Sequence, residues 1–285
     1  MSIIQAAGSG EVGSSGFYKH LLDQSLKFND GDSQSLSRTP ASASNQKTWT
    51  WSSWVKRSTL GTVQTIFSGG TGGTLSVEFG FTSSDQIQML DTNSSYLFIT
   101  TAVFRDVSSW YHIVIENDTT QSTVNNRTKL YVNGTQITSF ATDNRSNFSQ
   151  NEDTGINSAN VHYIGRWING GQFFDGYLAE VNFVDSAALT AASFGETKDG
   201  IWIPKDTSGL TFGTNGFHLT FKDDVVSEGF NAVTYTGNDS ANSISGIGFS
   251  PAFVWLKQRN QAENHFLTDS VRGAGLHLRS DATIK

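Results

Sequence analysis

The sequence predicts an all-β protein, an antiparallel β-sandwich followed by a small β-rich module. Runs of alternating apolar and polar residues recur about every ten residues with turn residues between them, which is typical of short antiparallel strands. Aromatic residues make up 12% of the chain and glycines number 28, a composition that suits strands and tight turns better than helices. A chain of 285 residues can bury a sizeable core without disulfides.

Strand signals follow one another from residue 24 to residue 185. We predict strands at 25–28, 34–37, 48–57, 63–69, 74–81, 86–90, 96–100, 109–117, 128–137, 161–167 and 173–184. Asn133 and Gly134 lie between two strand-like runs and predict a type I′ hairpin turn. A single short helix is expected at 190–195, with Thr190 as its N-cap and Gly195 at its end.

Three tryptophans lie within the strand predicted at 48–57. Because successive side chains of a strand point to opposite faces, Trp49 and Trp51 are expected to face the partner sheet and Trp54 the outside. We expect a covering segment to bury Trp54, either the 186–221 connection or a neighbouring subunit. The alternative is an exposed platform on which a sugar ring stacks.

Net charge and apolar content exclude several classes of partner. The net charge of −7 argues against nucleic acid, because phosphate binding needs clustered Lys and Arg. No stretch approaches the roughly 20 apolar residues of a membrane-spanning helix, so no membrane insertion is expected. The chain has no cysteine, which excludes a disulfide framework and thiolate metal ligands.

Four segments are predicted along the chain. They are an N-terminal anchor or flexible leader (1–27), the sandwich (28–195), a connecting segment (196–228) and the small β module (229–285). The candidate anchor residues are Phe17, Tyr18, Leu21 and Leu22. They follow a Gly/Ser-rich stretch and could pack on a partner protein. The natural chain is expected to extend past Lys285, since no closing element follows the last strand signals.

Five motifs occur in order across residues 28–195: WTWSSWVKR, SSWYHIVIEN, TKLYVNGTQI, YIGRW and GYLAEVNFVDSAALT. Together they resemble the laminin-G-like, concanavalin-type jelly roll. The stretches SLKFNDGDSQSLSRTP and FGETKDGIWIPKDTSGLTFGTNGFHLTF resemble virion proteins of tailed bacteriophages, especially those of marine cyanobacteria. GIGFSPAFVWLKQRN and HFLTDSVRGAGLHLRS resemble a module that recurs in phage tail-fibre proteins.

This resemblance implies a jelly-roll sandwich and a virion structural protein. The protein would be located in the virion, as a tail fibre or as a surface component of the tail or capsid. Its implied partners are other virion proteins, further copies of the chain in a homo-oligomer, and a host-surface glycan bound during attachment. Two alternatives remain: a purely architectural virion protein that binds no glycan, and a polysaccharide-degrading enzyme.

The candidate ligand surfaces are loop tips at 68–73, 91–95 and 141–160. The third loop is long and polar, and long loops without regular structure are often functional. Asn144, Arg145 and Asn147 are its candidate ligand residues.

Catalysis is not expected from the carboxylates of the closing strand. Retaining jelly-roll glycosidases need two carboxylates about 5 Å apart. Glu180, Asn182 and Asp185 match such an arrangement only in part, because an amide replaces the middle acid. We therefore predict no enzyme and no catalytic residue.

No cofactor is expected, and calcium is the one alternative. Asn29, Asp30 and Asp32 offer oxygen ligands at alternate spacing, which suits Ca²⁺. The same residues are typical of an Asp-Gly turn between two strands. The six histidines are scattered without the spacing of a zinc site.

Overall fold

The computed structural model describes residues 17–71, 76–91, 96–221, 233–237, 243–244, 251–273 and 276–280. The chain divides after residue 222 into two compact units. The first unit is a sandwich of two seven-stranded antiparallel sheets, in agreement with the predicted all-β class. Within the described ranges, no helix is long and apolar enough to cross a membrane.

The strands of the described residues are numbered in chain order. They are β1 (Leu26–Phe28), β2 (Leu36–Arg38), β3 (Thr48–Arg57), β4 (Gln64–Gly70), β5 (Ser76–Phe81), β6 (Gln86–Leu90), β7 (Tyr96–Val103), β8 (Tyr111–Asp118), β9 (Thr128–Val132), β10 (Thr135–Ile137), β11 (Phe140–Asp143), β12 (His162–Ile164), β13 (Gly176–Asp185), β14 (Gly195–Lys198), β15 (Ile201–Pro204), β16 (Phe217–Leu219), β17 (Phe253–Leu256) and β18 (Phe266–Asp269).

Two sheets build the sandwich. The first sheet has the strand order β1-β13-β3-β8-β9-β10, and β16 pairs with β13 beyond the end of β1. The second sheet has the order β11-β7-β6-β5-β4-β12-β2. Neighbouring strands often lie far apart in the sequence, so the fold depends on long-range pairing.

The facing sides of the two sheets form one apolar core. Trp49 and Trp51 are fully buried there, as the alternation along β3 predicts. The ring of Trp51 stacks on Phe67 with centroids 4.2 Å apart. Each indole N–H has a partner, because Trp49 donates to Thr154 Oγ1 at 3.0 Å and Trp51 donates to Ser53 Oγ at 3.1 Å. The core therefore buries large rings without leaving these polar atoms unpaired.

A second apolar cluster covers the outer face of the first sheet. It comprises Val114, Tyr131, Val184, Ala191 and Phe194, with Ala187, Leu189, Trp202, Leu210 and Phe212 packed against it. Strands β8, β9 and β13 supply the side chains of the sheet, and the segment 187–212 supplies the cover. Within that segment β14 and β15 form an antiparallel hairpin. The segment interpreted from the sequence as a connection is thus an integral layer of the first unit.

The Asn133-Gly134 turn has the predicted conformation. Asn133 has φ 48° and Gly134 has φ 79°, so both central residues are left-handed, as a type I′ turn requires. The turn joins β9 to β10, with Val132 paired to Thr135.

The helix predicted at 190–195 is a single turn of 3₁₀-helix at Ala191–Ser193. Thr190 precedes it, but the threonine side chain makes no capping hydrogen bond, and Gly195 already begins β14. Further 3₁₀ turns lie at Asp30–Asp32, Val124–Asn126 and Arg145–Asn147.

In the second unit, β17 and β18 pair antiparallel, and a bridge joins Leu267 to Leu278. Several large apolar side chains of its described residues are exposed, including Phe253, Trp255 and Val271.

Candidate functional site

A groove of about 270 Å³ lies beside Trp54 on the outer face of the first sheet. Its lining is Tyr18, residues 20–25, Trp54, Trp110, Ala179 and Pro204, and we call it the Trp54 groove. The alternation along β3 sends Trp54 outward, and the strand register places the small side chain of Ala179 next to it on β13. The groove therefore forms because the large side chain of Trp54 lies next to the small side chain of Ala179 on the same face of the sheet.

Trp54 is only 9% exposed, because aromatic residues and the N-terminal segment surround it. Its indole stacks on the ring of His112 with centroids 4.8 Å apart, and His112 stacks in turn on Trp202 of β15. The 186–221 connection thus takes part in covering Trp54, together with residues 18–25.

His112 is a structural member of this stack. Trp202 Nε1 donates to His112 Nδ1 at 3.0 Å, so the neutral ring carries its proton on Nε2, which lies 2.8 Å from Ser52 Oγ. Burial lowers the pKa of His112 to about 3, which keeps the ring neutral. A serine nucleophile needs the opposite arrangement, in which the histidine accepts the hydroxyl proton. Ser52 and His112 are also fully buried, so the pair does not form a catalytic dyad.

Glu180 lies at a β-bulge in β13. Its φ of 48° is left-handed, which is uncommon for a residue other than glycine. The bulge falls between the pairs Ala179–Trp54 and Asn182–Ser52. Leu178 and Val181 are three residues apart and both are buried, which breaks the alternation of a regular strand. This break is the sequence signal that could have predicted the bulge.

The carboxylate of Glu180 is held by residues from three other segments. His218 Nε2 lies 2.6 Å from its Oε1, Thr207 Oγ1 donates to it at 3.0 Å, and His20 Nε2 lies 3.7 Å away. Burial by itself raises the pKa of Glu180, but the hydrogen bonds and charge of these partners bring it below its usual value. Glu180 is therefore a buried, charged centre next to the Trp54 groove.

Glu180 and Asp185 do not form a carboxylate pair. Asp185 lies at the far end of β13, where it accepts hydrogen bonds from Ser44 Oγ at 2.6 Å, Asn157 Nδ2 at 2.9 Å and the backbone N–H of Asn215 at 3.0 Å. Its carboxylate joins three loops, whereas that of Glu180 faces the cover of the first sheet. The two acids thus have separate structural surroundings.

The candidate anchor residues lie against their own unit. Lys198 Nζ donates to the carbonyl of Phe17 at 2.6 Å and lies 5.0 Å above its ring. Tyr18 and Leu21 are about half exposed, and they line the Trp54 groove together with Leu22. Residues 1–16, the rest of the predicted leader, lie outside the described residues.

The predicted ligand loops meet at one end of the sandwich. Asn144 Nδ2 donates to the carbonyl of Tyr96 at 3.0 Å, and Ile156 lies directly against Gly69. We call this region the loop end and define it as residues 68–71, 91, 96 and 141–160. Residues 72–75 and 92–95, which include parts of two predicted loops, lie outside the described residues.

The three ligand candidates of the long loop have different surroundings. Asn144 and Asn147 are exposed. Arg145 is buried, and its Nη2 pairs with Asp143 Oδ2 at 2.6 Å while its guanidinium lies 4.6 Å above the ring of Phe140. Arg145 thus differs from the prediction, because its guanidinium stabilises the loop from inside.

Two acids of the loop end, Asp91 and Glu152, interact. Burial, together with repulsion from Glu152, raises the pKa of Asp91 to about 6. Among the residues that the structure describes, no group of three or more His, Asp or Glu could hold a metal ion. Asn29 and Asp32 instead form a turn, with Asn29 Nδ2 donating to Asp32 Oδ2 at 2.7 Å.

A family model described as the concanavalin A-like lectin/glucanases superfamily matches residues 29–193. The match spans more than half of the chain, and the protein belongs to this family. The first unit is thus a lectin-like jelly roll. A second model, a domain of unknown function (DUF7483), matches residues 225–285. Curated proteins give no match to the chain.

Comparison with solved structures finds similarities at low identity and low TM-score. A heptameric SAP-like pentraxin from Limulus polyphemus is 18% identical, with a TM-score of 0.41 over 58% of this chain and 77% of that chain. A putative carbohydrate binding protein from Bacteroides ovatus is 18% identical, with a TM-score of 0.39 over 58% of this chain and 44% of that chain. Tailspike protein 2 of the Escherichia coli bacteriophage CAB120 is 14% identical, with a TM-score of 0.38 over 59% of this chain and 23% of that chain. These similarities concern the fold alone.

Proposed function

We propose that this protein is a structural component of a bacteriophage virion that displays a glycan-binding jelly roll for attachment to the host surface. The assignment to a virion rests on the resemblance of its motifs to virion proteins. The proposed ligand follows from the lectin-like family and from the exposed groups at the loop end. Copies displayed together on a particle would make weak single contacts effective.

The observation that carries glycan binding is the exposed surface beside Tyr96. The Tyr96 side chain is 44% exposed, and the exposed amide of Asn144 is tied to its backbone. Asn147 is exposed two residues beyond the buried Arg145. An aromatic ring can stack on the apolar face of a sugar, while amides exchange hydrogen bonds with its hydroxyls. The loop end offers both groups on a well-packed base.

We propose that the jelly roll binds without catalysis. The two acids considered as catalytic candidates support this. Asp185 accepts a hydrogen bond from Ser44 of another loop, and Glu180 is bound by His218 and Thr207. Two acids flanking one substrate bond would need to face the same space.

Binding to a glycan array and to host cells tests the proposal. We expect Tyr96→Ala to weaken binding about tenfold through lost stacking, and Asn147→Ala about fivefold through a lost hydrogen bond. The matched controls are Val103→Ala, an exposed residue at the other end of β7, and Gln136→Ala, an exposed amide on β10. Both controls should bind like the unmodified protein.

Three results would overturn parts of this proposal. If no glycan binds, or if the controls weaken binding as much as the loop-end variants, glycan recognition at the loop end is wrong. Failed particle assembly with these variants would favour the purely architectural protein. Electron cryo-microscopy of the particle tests the virion role independently, and we expect density for residues 17–22 against another virion protein.

A further inference from the structure

We propose that the first unit binds a small monocarboxylate with an apolar tail in a slot at one edge of the sandwich. The slot has a volume of about 250 Å³ and lies between β2, the last strand of the second sheet, and β16 of the first sheet. We call it the β2–β16 slot, and its lining includes Leu36, Arg38, Phe67, Ile164, Phe217 and Leu219. It shares no lining residue with the Trp54 groove or the loop end, and the inference does not depend on glycan recognition.

The interior of the slot is a part of the apolar core that remains open to solvent. Phe67 and Ile164 belong to the core and are at most 5% exposed. Leu36, Phe217 and Leu219 pack against the core but are only partly buried. They lie on β2 and β16, which are each three residues long, so neither strand covers the edge of the sandwich. An apolar tail in the slot would remove this apolar surface from water, which is favourable.

His162 also lines the slot but adds no free polar atom to it. Its Nε2 accepts the backbone N–H of Asn157 at 3.1 Å, so Nδ1 carries the proton and donates to the carbonyl of Asn160 at 2.9 Å. Burial lowers the pKa of His162 to about 4, so the ring is neutral at pH 7. The imidazole therefore presents only ring carbons to a ligand.

Arg38 supplies the one positive charge of the slot. Its Nη1 donates to the carbonyl of Asn215 at 2.8 Å, and its guanidinium lies 5.8 Å from the centre of the Phe217 ring. These contacts hold an exposed cation over an apolar interior. Among the described residues, no acid forms a salt bridge with Arg38, whereas Arg57, Arg105 and Arg145 each have one. The Nε and Nη2 edge of the guanidinium has the geometry that pairs bidentately with a carboxylate.

Charge and size limit the ligand to a small monoanion. One guanidinium balances one negative charge, and the described lining holds no second cation. Asp185 accepts the backbone N–H of Asn215, on the other side of the residue that holds Arg38, so its charge disfavours a multiply charged anion. The volume of about 250 Å³ lies just below the usual range of small-molecule sites. The slot therefore suits a short alkyl chain or a single ring, and not a long lipid.

The test is a titration of the full chain, labelled with ¹³C in its isoleucine methyl groups, at pH 7. The probes are octanoate, octan-1-ol and octylammonium, which share a tail and differ in the charge of the head group. We expect the Ile164 methyl signals to shift saturably with octanoate. Octanoate should bind about tenfold more tightly than octan-1-ol, because only the carboxylate pairs with the guanidinium, and octylammonium should bind most weakly.

Variants of Arg38 separate the charge of the slot from its apolar interior. Arg38→Gln should weaken octanoate binding about tenfold and leave octan-1-ol binding unchanged. Arg38→Lys keeps the charge without the planar fork, should weaken octanoate binding about threefold, and serves if Arg38→Gln does not fold. The matched control is Arg166→Gln, because that guanidinium lies 4.4 Å over the ring of Tyr163, outside the slot. It should change neither affinity.

Two further variants fill the slot. Leu219→Phe and Leu36→Phe each enlarge a partly buried side chain of the lining, and each should weaken both octanoate and octan-1-ol more than about tenfold. The proposal is overturned if octanoate leaves the Ile164 signals unmoved, or if octan-1-ol or octylammonium binds as tightly as octanoate. It is also overturned if Arg38→Gln and Arg166→Gln have equal effects, or if the folded Phe variants bind octanoate like the unmodified chain.

Discussion

Glu78 shows how strongly burial acts on a single residue of this sandwich. It lies on β5 between the core residues Val77 and Phe79, so its side chain points to the outer face of the second sheet. It is nevertheless 5% exposed, and its Oε2 has no hydrogen-bond partner. Burial raises the pKa of Glu78 to about 7, because the charged form loses its hydration without gaining a partner. The carboxyl is therefore protonated far above its usual range.

Glu78→Gln should stabilise the protein in a pH-dependent way. The folded-state pKa is raised, so the unfolded state ionises first and stability falls as pH rises from about 4.5 to about 7. A neutral amide of similar size removes this loss. We expect the free energy of unfolding at pH 8 to rise by up to about 3 kcal/mol in the variant, because ionisation between a pKa of 4.5 in the unfolded state and about 7 in the folded state costs about 1.36 kcal/mol per pH unit.

Denaturant unfolding at pH 8 and pH 5 measures the Glu78→Gln effect, which should fall to less than about 1 kcal/mol at pH 5. Glu196→Gln serves as the control, because that carboxylate is partly exposed beside Lys19 and should change stability by less than about 1 kcal/mol. Equal stabilisation at both pH values would show that ionisation of Glu78 is not the cause.

Among the structural elements, the β9–β10 hairpin shows which features a short sequence pattern predicts and which it does not. Asn133-Gly134 predicts the turn because type I′ geometry demands left-handed residues at two adjacent positions. The packing of Trp202 over Gly134 was not predictable, since the two residues are far apart in the sequence. The sequence predicts a strand at 173–184 but not the bulge at Glu180, which turns both Leu178 and Val181 inward. Arg145 was predicted to be a ligand residue, because nothing in the sequence of a polar loop indicates that its guanidinium turns inward and pairs with Asp143.

A pair of glycine substitutions tests the packing of this hairpin. Gly134→Ala would place a Cβ 2.3 Å from Cε3 of Trp202 at a φ of 79°, so it meets both a steric overlap and an unfavourable backbone. Gly61 has a similar φ of 74° but nothing within 4 Å of the added Cβ. We expect a loss of about 3 kcal/mol for Gly134→Ala and about 1 kcal/mol for Gly61→Ala. Thermal unfolding of both variants checks this, and equal losses would mean that Trp202 simply moves aside.

At the scale of the whole molecule, the sequence predicts the two sheets of the sandwich. It does not predict the third layer, which segment 187–212 forms on the outer face of the first sheet. Strand periodicity and the ordered motifs predict two facing sheets, because both depend on local alternation and turn residues. Segment 196–228, which contains the apolar residues Trp202 and Phe212, was interpreted from the sequence as a connection. Only the three-dimensional structure shows that they cover Val114 and Val184 on the outer face. The matched family model likewise ends at residue 193, before most of this layer.

The third layer leads to a prediction about where the first unit can be cut. A chain ending at residue 195 would keep the strands of the two sheets except β16 but expose the second apolar cluster. Each large apolar side chain gains about 1.5–3 kcal/mol from burial, so losing several exceeds much of the 5–15 kcal/mol that holds a domain folded. A chain ending at residue 222 keeps the cover.

We therefore expect the shorter chain to aggregate or to unfold at a much lower temperature, and the longer one to give a cooperative thermal transition in circular dichroism and a monodisperse peak in size-exclusion chromatography. Equal behaviour of the two chains would mean that the segment from β14 to β16 only decorates a sandwich that is stable without it.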